Sequence, residues 1–284
     1  MGLVTAGPDP VVLVAHGSRD RRAAVATRAL VRAVELARPG LPVRAAYLDH
    51  TAPDPPTVLR ELEAAGHRGA TLVPLLLTAA YHGRVDIPGA VAAARARGLR
   101  LPVRVTAVLG PPEVSVAPDE LLLAGLRQRL AEALAAGAAG AGLAGAGLAG
   151  FGRGGGSVEA GSGRLDGLVL AAAGTRDAPA RRTVEAVAGA LGEALGVPSL
   201  AAYASAAPPT AGAAVDLLRA GGARRIAVAT YFLAPGRLYE SALASARTAG
   251  AVAVAAPLTD SPEIARLVLD RVDAATAAVH QLAA

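Results

Sequence analysis

Two histidines stand where the sequence is most open to a chemical reading. His16 ends an apolar run in VVLVAHGSRD, residues 11–20, and His82 follows another in LLLTAAYHGRVDIP, residues 75–88. Asp49 and His50 close a third run, VRAAYL, residues 43–48. Neutral imidazole offers a nitrogen donor at ordinary pH. Two imidazoles and a carboxylate meeting at one point suit a divalent first-row metal such as Co(II), Ni(II), Fe(II) or Zn(II), with coordination positions left open for a substrate. The plainer alternative is that a strand-end histidine is a hydrogen-bonded turn residue, and that His50 is an exposed neighbour of Asp49. His67, in a turn before a strand, and His280, near the end of the chain, read as structural.

The Gly-Ser that follows His16 permits a tight turn, and the helix start behind it favours an anion, whether phosphate or carboxylate. No Walker pattern and no G-x-G-x-x-G follows the strand, so a nucleotide is not indicated. Ser18 and Arg19 lie beside His16, and Arg84 beside His82, as candidate substrate contacts.

These residues need a scaffold that brings strand ends together. Short apolar runs alternate with helical patterns: strands at residues 11–15, 43–48, 70–77 and 103–109, and helices at 21–37, 57–65, 88–97 and 119–136. Near-continuous apolar strands separated by helices imply a parallel sheet covered on both faces, with right-handed crossovers. Ligands of such sheets bind beyond the carboxyl ends of the strands. His16, Asp49, His50 and His82 all map to that edge, and His67 maps to the opposite one.

The order then repeats, with strands at residues 168–172, 198–203, 225–231 and 251–256 and helices at 179–195, 211–220, from about 238, and 262–282. VVLVAHGSRD has its echo in LVLAAAGTRD, residues 168–177, where Ala173 stands in the place of His16. AAY recurs at residues 45–47 and 201–203, and Gly83-Arg84 is matched by Gly236-Arg237. Between the halves lies an Ala/Gly-rich stretch ending in GRGGGSVEAGSG, which reads as a flexible linker. The division expected is residues 1–136, a linker at 137–164, and residues 165–284.

Composition narrows the function classes. The chain has 284 residues, enough for one large or two ordinary domains, and 53% of them are hydrophobic. Aromatics make up only 2%, so the core must be built from Ala, Val and Leu. There is no cysteine, which excludes disulfides, thiolate catalysis, iron–sulfur clusters and Cys-type zinc sites. The net charge is +5 and every basic residue is Arg, whose planar fork suits carboxylates and phosphates. Without basic runs or aromatic interleaving, no nucleic acid is expected as a partner. The uncharged stretch at residues 133–152 has the length of a membrane span, but as almost pure Ala and Gly it is too weakly apolar for one. A soluble, cytoplasmic protein with no membrane partner is expected.

Taken together, VVLVAHGSRD and LLLTAAYHGRVDIP resemble the sirohydrochlorin chelatases, the class II chelatases that insert cobalt or iron into sirohydrochlorin. The resemblance implies an α/β fold of two tandem chelatase-like domains, each a four-stranded, mainly parallel sheet flanked by helices. It implies that His16 and His82 bind the incoming metal and carry the chemistry. Asp49 takes the place of a family glutamate that helps hold the metal, so the resemblance implies Asp49 as a third metal ligand, on a shorter arm. The second half resembles a degenerate repeat that keeps the scaffold and walls a cleft for the macrocycle, with Tyr231, Arg176 and Arg237 as candidate contacts.

The implied activity is a lyase of siroheme or cobalamin biosynthesis with no tightly bound cofactor, the divalent metal (cobalt or iron) and the tetrapyrrole both being substrates. The chain is expected to be a monomer whose halves imitate a dimer. Metal insertion needs a loosely held metal and an acceptor for pyrrole protons, and imidazole can serve as either. The carboxylates of sirohydrochlorin match an all-Arg basic set. Two other readings use the same residues: a metal or tetrapyrrole carrier without turnover, and a phosphate-ester hydrolase with His16 as nucleophile.

Overall fold

A computed structural model describes residues 8–78, 86–112, 117–146 and 164–283. In chain order the elements are β1 (Val11–Ala15), α1 (Arg21–Ala37), β2 (Val43–Tyr47), α2 (Pro55–Ala64), β3 (Ala70–Pro74), α3 (Ile87–Ala96), β4 (Val103–Val105) and α4 (Glu120–Ala146). The second series is β5 (Gly167–Ala172), α5 (Ala178–Leu195), β6 (Ser199–Tyr203), α6 (Ala211–Ala220), β7 (Ile226–Tyr231), α7 (Arg237–Thr248), β8 (Ala253–Val254) and α8 (Pro262–Ala283).

The strands form two sheets of the same order, β2-β1-β3-β4 and β6-β5-β7-β8, and every pairing is parallel. The central strands read VVLVA and GLVLAA because helices cover both of their faces. Leu13, Leu72, Leu168 and Leu170 are wholly buried as a result. The register repeats as well: Ala15 pairs with Tyr47, and Ala172 with Tyr203, so the ends of β1 and β5 open into equivalent loops.

Three strands are shorter than the apolar runs predict by three residues or more. β3 pairs only to Pro74 instead of residue 77, β4 ends at Val105 instead of 109, and β8 keeps only two residues of 251–256. Side chains take the carbonyls that a longer ladder would use. Arg271 of α8 donates to the carbonyls of Val108 and Leu109, and the Thr230 hydroxyl donates to those of Ala255 and Ala256. Leucines can thus stay buried beyond a strand end without a neighbouring strand.

The closing helices exchange halves. α4 packs on β7, β8 and α5, and α8 packs on α1 and β3, while α4 and α8 pack on each other. Leu122, Leu126 and Leu130 of α4 and Ile264, Leu267 and Val268 of α8 belong to the same core as Leu13 and Leu170. A division at residues 1–136 and 165–284 leaves each closing helix with its own sheet, whereas the structure sets each against the other. α4 also continues through Ala146, into the predicted linker, which makes it roughly 40 Å long. A helix placed after a fourth strand needs an apolar face to cover, and the inner face of the opposite sheet supplies one. No described helix is long and apolar enough to cross a membrane.

Candidate functional site

His16 follows directly on β1 and is exposed at its carboxyl end. The turn behind it is fixed locally. The Asp20 N–H donates to Ser18 Oγ at 3.0 Å, and Asp20 in turn caps α1 by accepting from the Arg22 N–H at 2.9 Å. Thr51 Oγ1 donates to the Ser18 carbonyl at 3.1 Å, tying the loop after β2 to the loop after β1. The Asp49 N–H donates to the His16 carbonyl at 2.9 Å.

A cleft with two lobes lies between the halves. One lobe of about 780 Å³ is floored by Leu75, Leu76 and Leu77 and faces the β5 loop, with Thr175, Arg176 and Asp177 on its wall. The other, of about 550 Å³, is lined by Ser18, Arg19, His50 and Arg237. His16, Leu75, Ala173, Phe232, Leu233 and Leu238 line both. The position of His16 and its counterpart Ala173 therefore share one space. Arg22 of α1 reaches Glu240 of α7 at 2.7 Å beside the second lobe, an exposed ion pair between the halves.

Of the candidate site residues, His16, Ser18, Arg19 and Arg237 line the second lobe and Arg176 the first. Asp49 lines neither lobe; its neighbour His50 does. His82 and Arg84 lie outside the described residues. Among the described residues, no three His, Cys, Asp or Glu side chains gather closely enough to hold a metal ion. His67 sits at the far edge of the first sheet, before β3, and Arg21 and Arg22 face a separate hollow beside Arg129.

Two tyrosines of the second half border the first lobe, and both stay protonated at neutral pH. Burial, reinforced by Glu185, pushes the Tyr203 phenol up to about 12. Burial alone raises that of Tyr231 further. The Tyr231 hydroxyl donates to the Leu77 carbonyl at 2.8 Å, between β7 of one half and the loop after β3 of the other. Tyr231 thus lines the first lobe, as a macrocycle contact would, while its hydroxyl ties the two halves together, a bond that sequence spacing gives no way to foresee. Tyr231→Phe leaves a buried carbonyl without this donor. It is expected to cost about 1–3 kcal/mol, read as a lower midpoint in urea denaturation; an unchanged midpoint would refute the tie.

A family model described as CbiX matches residues 10–133 and 167–275, one match for each copy of the fold. The chain belongs to the CbiX family. This is the sirohydrochlorin chelatase family that its two histidine motifs resemble. No curated protein matches the chain in sequence. Among solved structures, SirB from Bacillus subtilis with Fe3+ superposes with a TM-score of 0.69 at 18% identity, covering 93% of this chain and 94% of the other. SirB from Bacillus subtilis subspecies spizizenii in complex with cobalt gives 0.67 at 17% identity, with the same coverage. A multi-domain protein of Deinococcus radiodurans with structural similarity to chelatases gives 0.58 at 20% identity, covering 93% of this chain and 55% of its own. At these identities the likeness is one of fold. It extends over both halves of this chain, including the half without a histidine at the strand end.

Proposed function

We propose that this chain inserts a divalent metal ion, cobalt or iron, into sirohydrochlorin. The observation that carries the reading is the placement of His16. It opens into a cleft between two copies of one fold, while the facing copy offers Ala173 at the same position. One half thus presents a metal-binding imidazole and the other an apolar wall of Phe232, Leu233 and Leu238, against which a flat macrocycle can lie. A metal held by few protein donors keeps open positions, which the ring nitrogens fill as the pyrrole protons leave. His82 is proposed as the second imidazole, from its motif. Arg19, Arg176 and Arg237 stand at the cleft wall to pair with substrate carboxylates.

The test is insertion of Co(II) and of Fe(II) into sirohydrochlorin by purified protein, followed by absorbance, with the spontaneous rate subtracted. Turnover supports a chelatase. Stoichiometric binding of metal or macrocycle without turnover would instead establish a carrier. Arg237→Ala is expected to raise KM by about tenfold, the loss of one charge-assisted hydrogen bond, and to leave kcat within about twofold. A fall in kcat with KM unchanged would place Arg237 in the chemical step instead.

A further inference from the structure

The two copies of the fold provide a comparison within one molecule. The loop after β2 and the loop after β6 share their backbone. The Leu48 N–H donates to the Ala15 carbonyl at 3.0 Å, as the Ala204 N–H does to the Ala172 carbonyl at 2.9 Å. The Thr51 N–H donates to the Asp49 carbonyl at 2.7 Å, as the Ala207 N–H does to the Ser205 carbonyl at 2.8 Å. Three residues after the paired tyrosines, His50 and Ala206 both take the left-handed conformation, at φ 58° and 65°. That conformation is thus a property of the scaffold, and the side chain placed on it is what differs. Where the first copy has His16, Asp49 and His50, the second has Ala173, Ser205 and Ala206. His50, like Asp49, is absent from the copy in which His16 is absent.

The position of His50 accords with that pairing. It lines the same lobe as His16, whereas Asp49 does not, and the Asp49 side chain is the more exposed of the two, at 59% against 37%. The Asp49 carboxylate turns back on its neighbour. Oδ1 accepts the His50 N–H at 2.7 Å, and Oδ2 lies 3.3 Å from His50 Nε2. A carboxylate beside one ring nitrogen orients an imidazole and leaves the other nitrogen to bind a metal.

We infer that His50 is a metal donor of this site, through Nδ1, and that Asp49 is its positioning residue and does not itself bind the metal. The inference rests on the chelatase reading and moves one donor from a carboxylate to an imidazole. His16 and His50 then give the metal two nitrogen donors from adjacent strand ends, β1 and β2. A softer donor set than histidine plus carboxylate favours later first-row ions such as Co(II) over Mg(II) or Mn(II).

The experiment is a titration of the full chain with Co(II), read by calorimetry and by the visible absorption of bound cobalt. His50→Ala should fold, because Ala206 already occupies the same backbone conformation in the second copy. It is expected to weaken Co(II) binding by more than about tenfold and to shift the cobalt spectrum through loss of a nitrogen ligand. Asp49→Asn is expected to weaken binding about tenfold in the parent chain and to add nothing in the His50→Ala background, since it acts through His50. Unchanged Co(II) affinity and spectrum in His50→Ala, or a full further loss on adding Asp49→Asn, would overturn the assignment. Those results with His16→Ala still defective leave the chelatase reading standing. Loss of that reading would show instead as a parent chain that neither binds Co(II) nor inserts it.

Discussion

His16→Ala is expected to slow metal insertion by about 100- to 10,000-fold, the usual range for removing a group that takes a proton in the reaction step. The loss should be this large because His16 borders both lobes of the cleft, so metal and macrocycle would meet beside it. His82→Ala is expected to fall in the same range on the strength of its motif. His67→Ala is the control. It occupies the turn before β3, at the amino edge of the sheet, and its N–H donates to the Leu62 carbonyl at 3.2 Å, a bond that the substitution keeps. The measurement is the initial insertion rate at equal metal and sirohydrochlorin, with folding checked by circular dichroism. A near-parental rate in folded His16→Ala would remove the proposed site.

Gly17→Ala is expected to damage both stability and insertion, for a different reason. Gly17 has φ 91°, in the left-handed region, and a Cβ there would fall far inside contact distance of the Asp49 carbonyl oxygen. Either the backbone at residue 17 or the loop of Asp49 and His50 must move. The expected cost is about 3 kcal/mol, at the upper end for single substitutions, with insertion per folded molecule falling more than about tenfold as His16 and His50 separate. Gly174 repeats the arrangement in the second copy, at φ 94° against the Ser205 carbonyl. Gly174→Ala should cost similar stability, yet keep insertion per folded molecule within about threefold, because no imidazole stands on that loop. Denaturation midpoints together with rates normalised to the folded fraction decide the matter. Equal losses of normalised rate in the two variants would show that the second copy shares in the chemistry.

The alternation of apolar runs with helical patterns was enough to define two four-stranded parallel sheets, because strands covered on both faces must be apolar throughout. It did not define where β3, β4 and β8 stop. Leu75, Leu76 and Leu77 are apolar because they floor the cleft, and Leu109 because it is buried, so burial without pairing looks the same in sequence as burial within a strand. Arg19 was legible as a cleft residue from its nearness to His16, and Arg237 from its match to Arg84 and the family resemblance. Tyr231 was not, since whether a hydroxyl meets substrate or a carbonyl of the other half depends on how the halves dock.

By itself the sequence determined the duplication, the retention of histidine in one copy, the absence of thiol chemistry and the edge of the sheet at which His16, Asp49 and His50 stand. These follow from residue types and periods that are local in the chain. Tertiary structure alone decided that α4 and α8 exchange halves, that the two strand ends open into one cleft, and that His50 rather than Asp49 lines it. Each of these depends on contacts between residues far apart in sequence, or on the left-handed backbone at His50, which follows from how the loop after β2 is held. Neither leaves a trace in hydrophobic periodicity.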